Sequence, residues 1–465
     1  MEKEQINIKG VQKEKPFTFK LHTIIMLVGP DGAGKSLFSK YLAVKLREAC
    51  SGSKKMLRTP VISFDDIAYD LIGYSTIDKH SIEFQYVKEQ AEEVMFSKLK
   101  AVTSYPLSSE FVILDYTALT PEFRDKVIAF AEEQDYNLSA ITFDFEDSTQ
   151  YQKPYPGQIK AMRRAVSGGM SAKLYQTIDS IKSRDEIYSI QVSVPDSEHY
   201  SAHLLEGDSK DYLIIGDIHG CYDELIALIQ KEGFIVDKDL KVTHPTNKKV
   251  LLIGDLIDKG RDIAKVVEFA HANIGTFIMV TGNHESFVYR VLNNLIPSTS
   301  VSDLVKREFF ESIDLFLADE ILKNKFFEVY LAMKDFYIHR DFIVTHAPCD
   351  VRFLGKMSPS SRKSMRDFKY PKTRDFEHFA QFIYEFDESL EFMKTQASNL
   401  QPLHIFGHVV TSELSRFKNK VAIDTGCATG GELTGIYVLS HGRITSVSEK
   451  SLTSKKDKHK FYKFF

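Results

Sequence analysis

Short apolar runs divide the chain into two series. Between Thr23 and about Val194, TIIMLVG, TPVISF, FVILDY, LSAITFDF and IYSIQVSV alternate with longer amphipathic stretches. Such runs are strand-sized and the stretches between them helix-sized, so this half predicts a doubly wound parallel sheet with crossover helices. From residue 211 the second series begins: DYLIIGD, KVLLIGD, GTFIMVTGN, DFIVTH, LHIFGH, KVAIDTG and GIYVLS. Each of the first six ends in a Gly, Asp, Asn or His cluster, which places chemistry at strand ends. Charged stretches with helical periodicity separate GNHES from DFIVTH and run again from Arg352 to about Asn399, and they predict helices inserted into an α/β domain. The polar stretch 195–210 predicts a linker between domains at 1–194 and 211–447, with a basic tail over 448–465.

At 465 residues, two or three domains are expected. The chain is 43% hydrophobic with a formal net charge of −4, which argues against wholesale coating of nucleic acid but not against a local basic groove. Cys50, Cys221, Cys349 and Cys427 lie far apart without a CxxC, so neither a zinc ribbon nor a disulfide framework is predicted. The charged start MEKEQINIKGVQKEKP lacks the apolar core of a signal peptide, and no stretch has the length of a membrane span. These features predict a cytoplasmic protein with no membrane partner; oligomeric state stays open. The tail SKKDKHKFYKFF reads as a mobile terminus, with nucleic-acid contact as the alternative.

GPDGAGKS, residues 29–36, follows the first apolar run and precedes the amphipathic LFSKYLAVKLREA. In that context Gly29, Gly32 and Gly34 allow a tight turn whose N–H groups, with the next helix N-terminus, cradle phosphates. Lys35 would reach the β- and γ-phosphates of ATP, and the Ser36 hydroxyl would ligate Mg²⁺. Transfer to an acceptor needs a carboxylate for its hydroxyl and cations for the moving charge. VISFDD ends with Asp65 and Asp66, and FVILDYTALT carries Asp115 at a Walker B-like position. Each aspartate has helix capping as its alternative role. QYQKPYPGQIKAMRRAVSGGM supplies Lys153, Arg163 and Arg164 as a lid over the phosphates, or as a solvated helix face.

The second half assembles a two-metal site. GDIHGCYDE (216–224) sets Asp217 and His219 two residues apart; GDLIDKG (254–260) adds Asp255; GNHE (282–285) adds Asn283 and His284; THAP and FGHVV add His346 and His408. Asp255 can bridge two ions about 3.5–4 Å apart, the spacing of hydrolytic two-metal centres. Mixed carboxylate and imidazole donors suit Mn²⁺, Zn²⁺ or Fe²⁺ better than Ca²⁺. The pattern predicts attack of activated water on phosphorus, with His284 protonating the leaving group and Glu285 orienting it. Lys259 and Arg261 are placed to hold a phosphate oxygen.

GDIHG, GDLIDKG, GNHE, a lone His and GH, in this order, resemble the calcineurin-like metallophosphoesterase superfamily over about 211–447. IDTGCATGGELTGIYV is similar to the closing strands of its branch containing diadenosine tetraphosphatases and PPP-type protein phosphatases. The resemblance implies Asp217, His219 and Asp255 on one metal and Asp255, Asn283, His346 and His408 on the other. Lys259 stands where the branch usually has arginine, which loses a bidentate grip on phosphate.

With a P-loop domain in front, the chain resembles the bacterial polynucleotide kinase-phosphatases of RNA repair, without their ligase domain. That resemblance implies an ATP·Mg²⁺-dependent 5′-OH kinase and a phosphatase for 2′,3′-cyclic, 2′- or 3′-phosphates with two divalent transition metals, Mn²⁺ favoured. It implies RNA or DNA ends as partners, RNA favoured, and leaves room for a separate ligase. Asp65 matches the acceptor-activating aspartate, but Ala68 replaces the arginine three residues on. The lid reads QYQKPYP with only Lys153 charged. The alternative is a nucleotide (dinucleoside polyphosphate) or protein phosphatase whose P-loop domain phosphorylates a small molecule or only binds nucleotide.

Overall fold

The run TIIMLV forms β1 (Thr23–Val28), buried along its whole length. β-Branched and long aliphatic residues on both faces suit a strand covered by helices on either side. β2 (Val61–Ser63), β3 (Phe111–Asp115), β4 (Asn137–Phe143) and β5 (Thr177–Ile181) join it in one parallel sheet of order β2-β3-β1-β4-β5. Helices α1 (Lys35–Ala49), α2 (Phe64–Ile72), α3 (Ile82–Thr103), α4 (Pro121–Glu133) and α5 (Gln158–Arg164) intervene. The fifth strand is TIDSI rather than the expected IYSIQVSV. TIDSI is only partly buried, as an edge strand can be, so no apolar run announces it. Within IYSIQVSV, Asp185–Tyr188 closes a 3₁₀ turn into which its first two residues fall, and Val192–Ser193 forms a two-residue strand.

The computed structural model describes residues 16–51, 57–73, 81–296, 303–367, 393–394, 396–399 and 402–452. The chain divides into two compact units, Met1–Ala202 and His203–Phe465. Inside the stretch read as a linker, Ser197–Ser201 is a short helix and Tyr200 is fully buried. The basic stretch 453–465 and the charged start lie outside the described residues, as does most of the stretch between Arg352 and Asn399.

The second unit is two sheets face to face. β6 (Tyr212–Ile215), β7 (Lys249–Leu252), β8 (Ile278–Met279), β14 (Glu432–Val438) and β15 (Ile444–Lys450) make one, ordered β8-β7-β6-β14-β15. β9 (Phe336–Ile338), β10 (Phe342–Thr345), β11 (Leu403–Phe406), β12 (Ser415–Phe417) and β13 (Lys420–Ala422) make the other, ordered β9-β10-β11-β13-β12. Residues 448–450, read as the start of the tail, complete β15. Alternation sorts the core: Tyr212 and Ile214 pack between the sheets with Val344 and Ile405, while Leu213 and Ile215 face the outer helices. Those helices are α6 (Tyr222–Lys231), α7 (Ile263–Ala272), α8 (Asn283–Leu292), α9 (Asp303–Ala318) and α10 (Glu320–Ala332), with α11 (Pro359–Asp367) later in the chain. Burying one such aliphatic side chain is worth about 1.5–3 kcal/mol. Among the described residues no helix is long and apolar enough to cross a membrane.

Candidate active sites

In the first unit the turn after β1 opens a cleft of about 230 Å³ lined by Gly32, Gly34, Lys35, Ser36, Asp65, Asp115, Gln152 and Arg184, among others. Gly32 must be glycine twice over: its φ is +72°, and a Cβ there would stand 1.6 Å from the Gln152 carbonyl oxygen. Gly29 is confined less severely, a Cβ there lying 2.8 Å from the Phe143 Cβ. Lys35 is buried and its Nζ donates to the Pro30 carbonyl at 2.7 Å, which holds the ammonium along the turn. Ser36 and Asp115 line the same cleft. Burial raises the Asp115 pKa, against the nearby Ser36 hydroxyl and Lys35 charge. A hydroxyl and a carboxylate close together beside the turn are the donor pair that suits Mg²⁺.

Asp65 and Asp66 separate in role. The helix α2 is capped by Ser63, whose Oγ accepts from the Asp66 amide at 3.2 Å, so neither aspartate is needed as the cap. Asp65 lines the cleft, and Asp66 is exposed. Ala68, one turn further, is fully buried in the apolar core, away from solvent. The expected lid cations are not brought to the cleft: Lys153, Arg163 and Arg164 are all exposed and absent from its lining. Helix α5 anchors through buried Met162, which turns the two arginines outward. Besides Lys35, the cation that lines the cleft is Arg184, which the sequence does not announce because it follows the partly buried strand β5.

In the second unit the predicted donors converge at the carboxyl ends of β6, β7, β8, β10 and β11. Asp255 is central: its Oδ2 lies 3.4 Å from His219 Nε2 and 3.8 Å from His284 Nε2, and its Oδ1 lies 3.3 Å from His346 Nε2. Asn283 Oδ1 stands 2.9 Å from His346 Nε2 and 3.0 Å from His408 Nδ1. Two groups of donors therefore share one carboxylate, His219–Asp255–His284 and Asp255–His346–His408, each with its atoms within 4.8 Å of one another. Asp217 flanks them: its carboxylate accepts the His408 amide at 3.1 Å, made possible because a Cβ on Gly407 would lie 1.9 Å from Asp217 Oδ1.

These donors fit divalent metal ions. Tetrahedral ligands at 2.0–2.1 Å stand about 3.3 Å apart, close to the separations around Asp255. His219 and His346 direct Nδ1–H to the carbonyls of Ile257 and Ile253, at 2.8 and 2.9 Å, which leaves Nε2 facing the site. The buried carboxylates Asp217, Asp255 and Asp424 outnumber the nearby cation Lys259. Burial and the charge of Asp424 push Asp217 up, while burial lowers His346 but the Asp255 and Asp217 charges override it, raising it to about 10. The site is short of positive charge, as a metal centre should be.

The loops are strained where they carry chemistry. His219, Asp255, Asp258, Lys259 and His408 all have φ between +43° and +67°. Two expectations change. His284 is oriented by Asp258, buried and 2.7 Å from its Nδ1, and not by Glu285. Glu285 instead accepts backbone amides of Asp255, Leu256 and Gly282 at 2.7 to 3.0 Å, fixing the loop itself. Arg261 pairs with buried Glu224 at 3.3 Å, while Lys259 Nζ reaches His219 Nε2 at 3.2 Å. Asp258 and Asp424 were visible in GDLIDKG and IDTG, but nothing in their spacing distinguished them from turn aspartates.

The calcineurin-like phosphoesterase family model matches residues 211–412, and the AAA domain model matches residues 24–153. The chain is 27% identical to bis(5′-nucleosyl)-tetraphosphatase PrpE (asymmetrical) of Anoxybacillus flavithermus, over 48% of this chain and 89% of that protein. The namesake of Bacillus velezensis is 28% identical, over 50% of this chain and 91% of its own length. A solved cold-active protein-tyrosine phosphatase of a psychrophilic Shewanella is 17% identical, with a TM-score of 0.33 over 52% of this chain and 82% of that one. This α/β chain thus carries a kinase-like P-loop domain of the AAA type followed by a calcineurin-like metallophosphoesterase domain.

Proposed function

We propose that the protein heals nucleic-acid ends, RNA in preference to DNA, with a 5′-OH kinase in the first unit and a phosphoesterase for 2′,3′-cyclic and 3′-phosphates in the second. The observation that carries this reading is that Asp65 shares a cleft with Lys35, Ser36 and Asp115, while two groups of possible metal donors in the second unit share Asp255. A kinase cleft and a phosphate-removing centre in one chain suit the two sides of a broken strand.

In the first unit Lys35 and the 29–36 amides bind the phosphates of ATP, and Ser36 with Asp115 would hold Mg²⁺. Asp65 takes the proton of the acceptor hydroxyl. In the second unit Asp217, His219, Asp255, Asn283, His346 and His408 would hold two divalent ions. When bound, the ions supply Lewis acidity that stabilises charge on the phosphoryl oxygens and makes water a stronger nucleophile. His284, fixed through Nδ1 by Asp258, delivers a proton from Nε2 to the leaving oxygen. Lys259 places a positive charge beside His219.

The match to the PrpE proteins favours a second reading, in which the phosphoesterase cleaves dinucleoside polyphosphates and the P-loop unit phosphorylates a small molecule or only binds nucleotide. Two assays separate them. γ-Labelled ATP is incubated with a 5′-OH oligoribonucleotide, with Lys35→Ala and Asp65→Ala as controls, and label transfer is expected in the wild type alone. Release of phosphate from a 3′-phosphate-ended oligoribonucleotide is compared with cleavage of diadenosine tetraphosphate. ATP binding without transfer to any oligonucleotide, together with faster cleavage of the dinucleotide, would replace the first reading by the second.

A further inference from the structure

We propose that Arg184 is a nucleotide-binding residue whose guanidinium contacts the polyphosphate of ATP, in the place that the sequence assigned to lid cations. The proposal rests on the reading of 29–36 as an ATP site. Three segments meet at one atom, the carbonyl oxygen of Gly32. Gln152 donates its amide to it at 3.0 Å, and Arg184 Nη1 reaches it at 3.4 Å. Arg184 is further held by its amide on Gln150 Oε1 at 2.7 Å and by Nη1 on the Gln150 carbonyl at 3.0 Å. One edge of the guanidinium thus rests on neutral carbonyls. Among the described residues no carboxylate pairs with it, in contrast to Lys182, bonded to Asp144 at 2.9 Å two residues earlier.

A fixed, uncompensated guanidinium lining a cleft with Lys35 and Ser36 is arranged for a bound anion. Its planar fork matches phosphate oxygens. The segment that carries it is itself seated on the phosphate loop, since a Cβ on Gly34 would come within 2.9 Å of the Ile187 side chain. The exposed Lys153, Arg163 and Arg164 have no such seat. The kinase-like unit then needs no arginine-rich lid to neutralise its nucleotide.

The test uses the full chain with Arg184→Gln, which keeps a donor for the carbonyls and removes the charge, and Arg184→Lys, which keeps charge without the fork. Affinity is read by displacement of a fluorescent ATP analogue with ATP and with inorganic tripolyphosphate, and folding by circular dichroism and thermal unfolding. Arg184→Gln is expected to weaken both competitors about 10- to 100-fold, with Arg184→Lys in between. Loss of ATP affinity alone, with tripolyphosphate unchanged, assigns Arg184 to the base and overturns the proposal. Unchanged affinity for both, while Lys35→Ala weakens them, overturns it outright. If Lys35→Ala is also without effect, the ATP site itself is refuted, and the proposal with it.

Discussion

The cleft of the first unit is organised around one eight-residue turn of backbone, whereas the candidate metal centre collects side chains from strand ends in two different sheets. The first is local, so a glycine pattern announces it and few side chains decide it. The second depends on the sandwich closing correctly, and a single carboxylate, Asp255, stands in both donor groups. A site built from one turn of backbone keeps its form when residues at its margin change. A shared central donor tolerates no such change.

The comparison breaks first at Asp255. Asp255→Asn is expected to lower phosphoesterase turnover by about 10³-fold or more, since several kcal/mol of charge stabilisation depends on it. ATP affinity measured on the same protein should stay within about twofold, since the two sites belong to separate compact units. A parallel loss of ATP binding would show that the two sites are not independent. At the next level, His284→Ala should cost about 10²-fold or more in turnover at saturating substrate. Asp258→Asn should follow it with a smaller loss in kcat and little change in KM, because it acts through the imidazole.

The margin of the local site is sharpened by Ala68→Arg. If the arginine that the resembling polynucleotide kinases carry at this position were merely missing, restoring it would help. The position is fully buried, so the charge is expected to cost more than about 3 kcal/mol in urea unfolding without improving phosphotransfer. A stable, more active variant would overturn the placement of α2.

The smallest effect probes how far buried charge extends behind the metal centre. Lys420 is enclosed, with Nζ 3.1 Å from His404 Nδ1, and His404 Nε2 bonds Thr345 at 2.8 Å, next to His346. Burial lowers its pKa from 10.5 to about 8, against the charges of Cys349 and Asp350. Between about 8 and 10.5 the unfolded chain keeps a proton the folded chain has lost, so this group makes stability rise with pH across that window. Below about 8 both states are protonated and the slope from Lys420 vanishes. The Tm difference between wild type and Lys420→Met should therefore shift in favour of wild type by a few degrees from pH 7.5 to pH 9.5. A constant difference would show that the amine is not desolvated.

Both folds were legible because their strands are apolar runs ending in distinctive turns. The glycine-rich turn and the residues that gather around Asp255 were legible for the same reason: GPDGAGKS, GDIHG and GNHE each put several candidate residues into one short stretch. What escaped were residues whose role comes from tertiary placement. TIDSI lies at a sheet edge and needs no continuous apolar face, so β5 and Arg184 behind it gave no signal. Glu285 and Asp258 sit within GNHE and GDLIDKG, yet only the folded loops show that one acceptor serves the backbone and the other the imidazole. Lys153, Arg163 and Arg164 erred the other way, because positive charge near a phosphate motif is not the same as charge aimed at it.

The donors of the second unit come from both halves of a sandwich: Asp217, His219, Asp255 and Asn283 extend from the sheet of β6, and His346 and His408 from that of β10. An ion held between them therefore works as a clasp. Whatever loosens the packing of Ile214 against Val344 also spreads the clasp, and whatever fills the clasp resists that loosening. Metal occupancy and mechanical integrity become two readings of one quantity, so a chelator should soften the domain far from the atoms it removes.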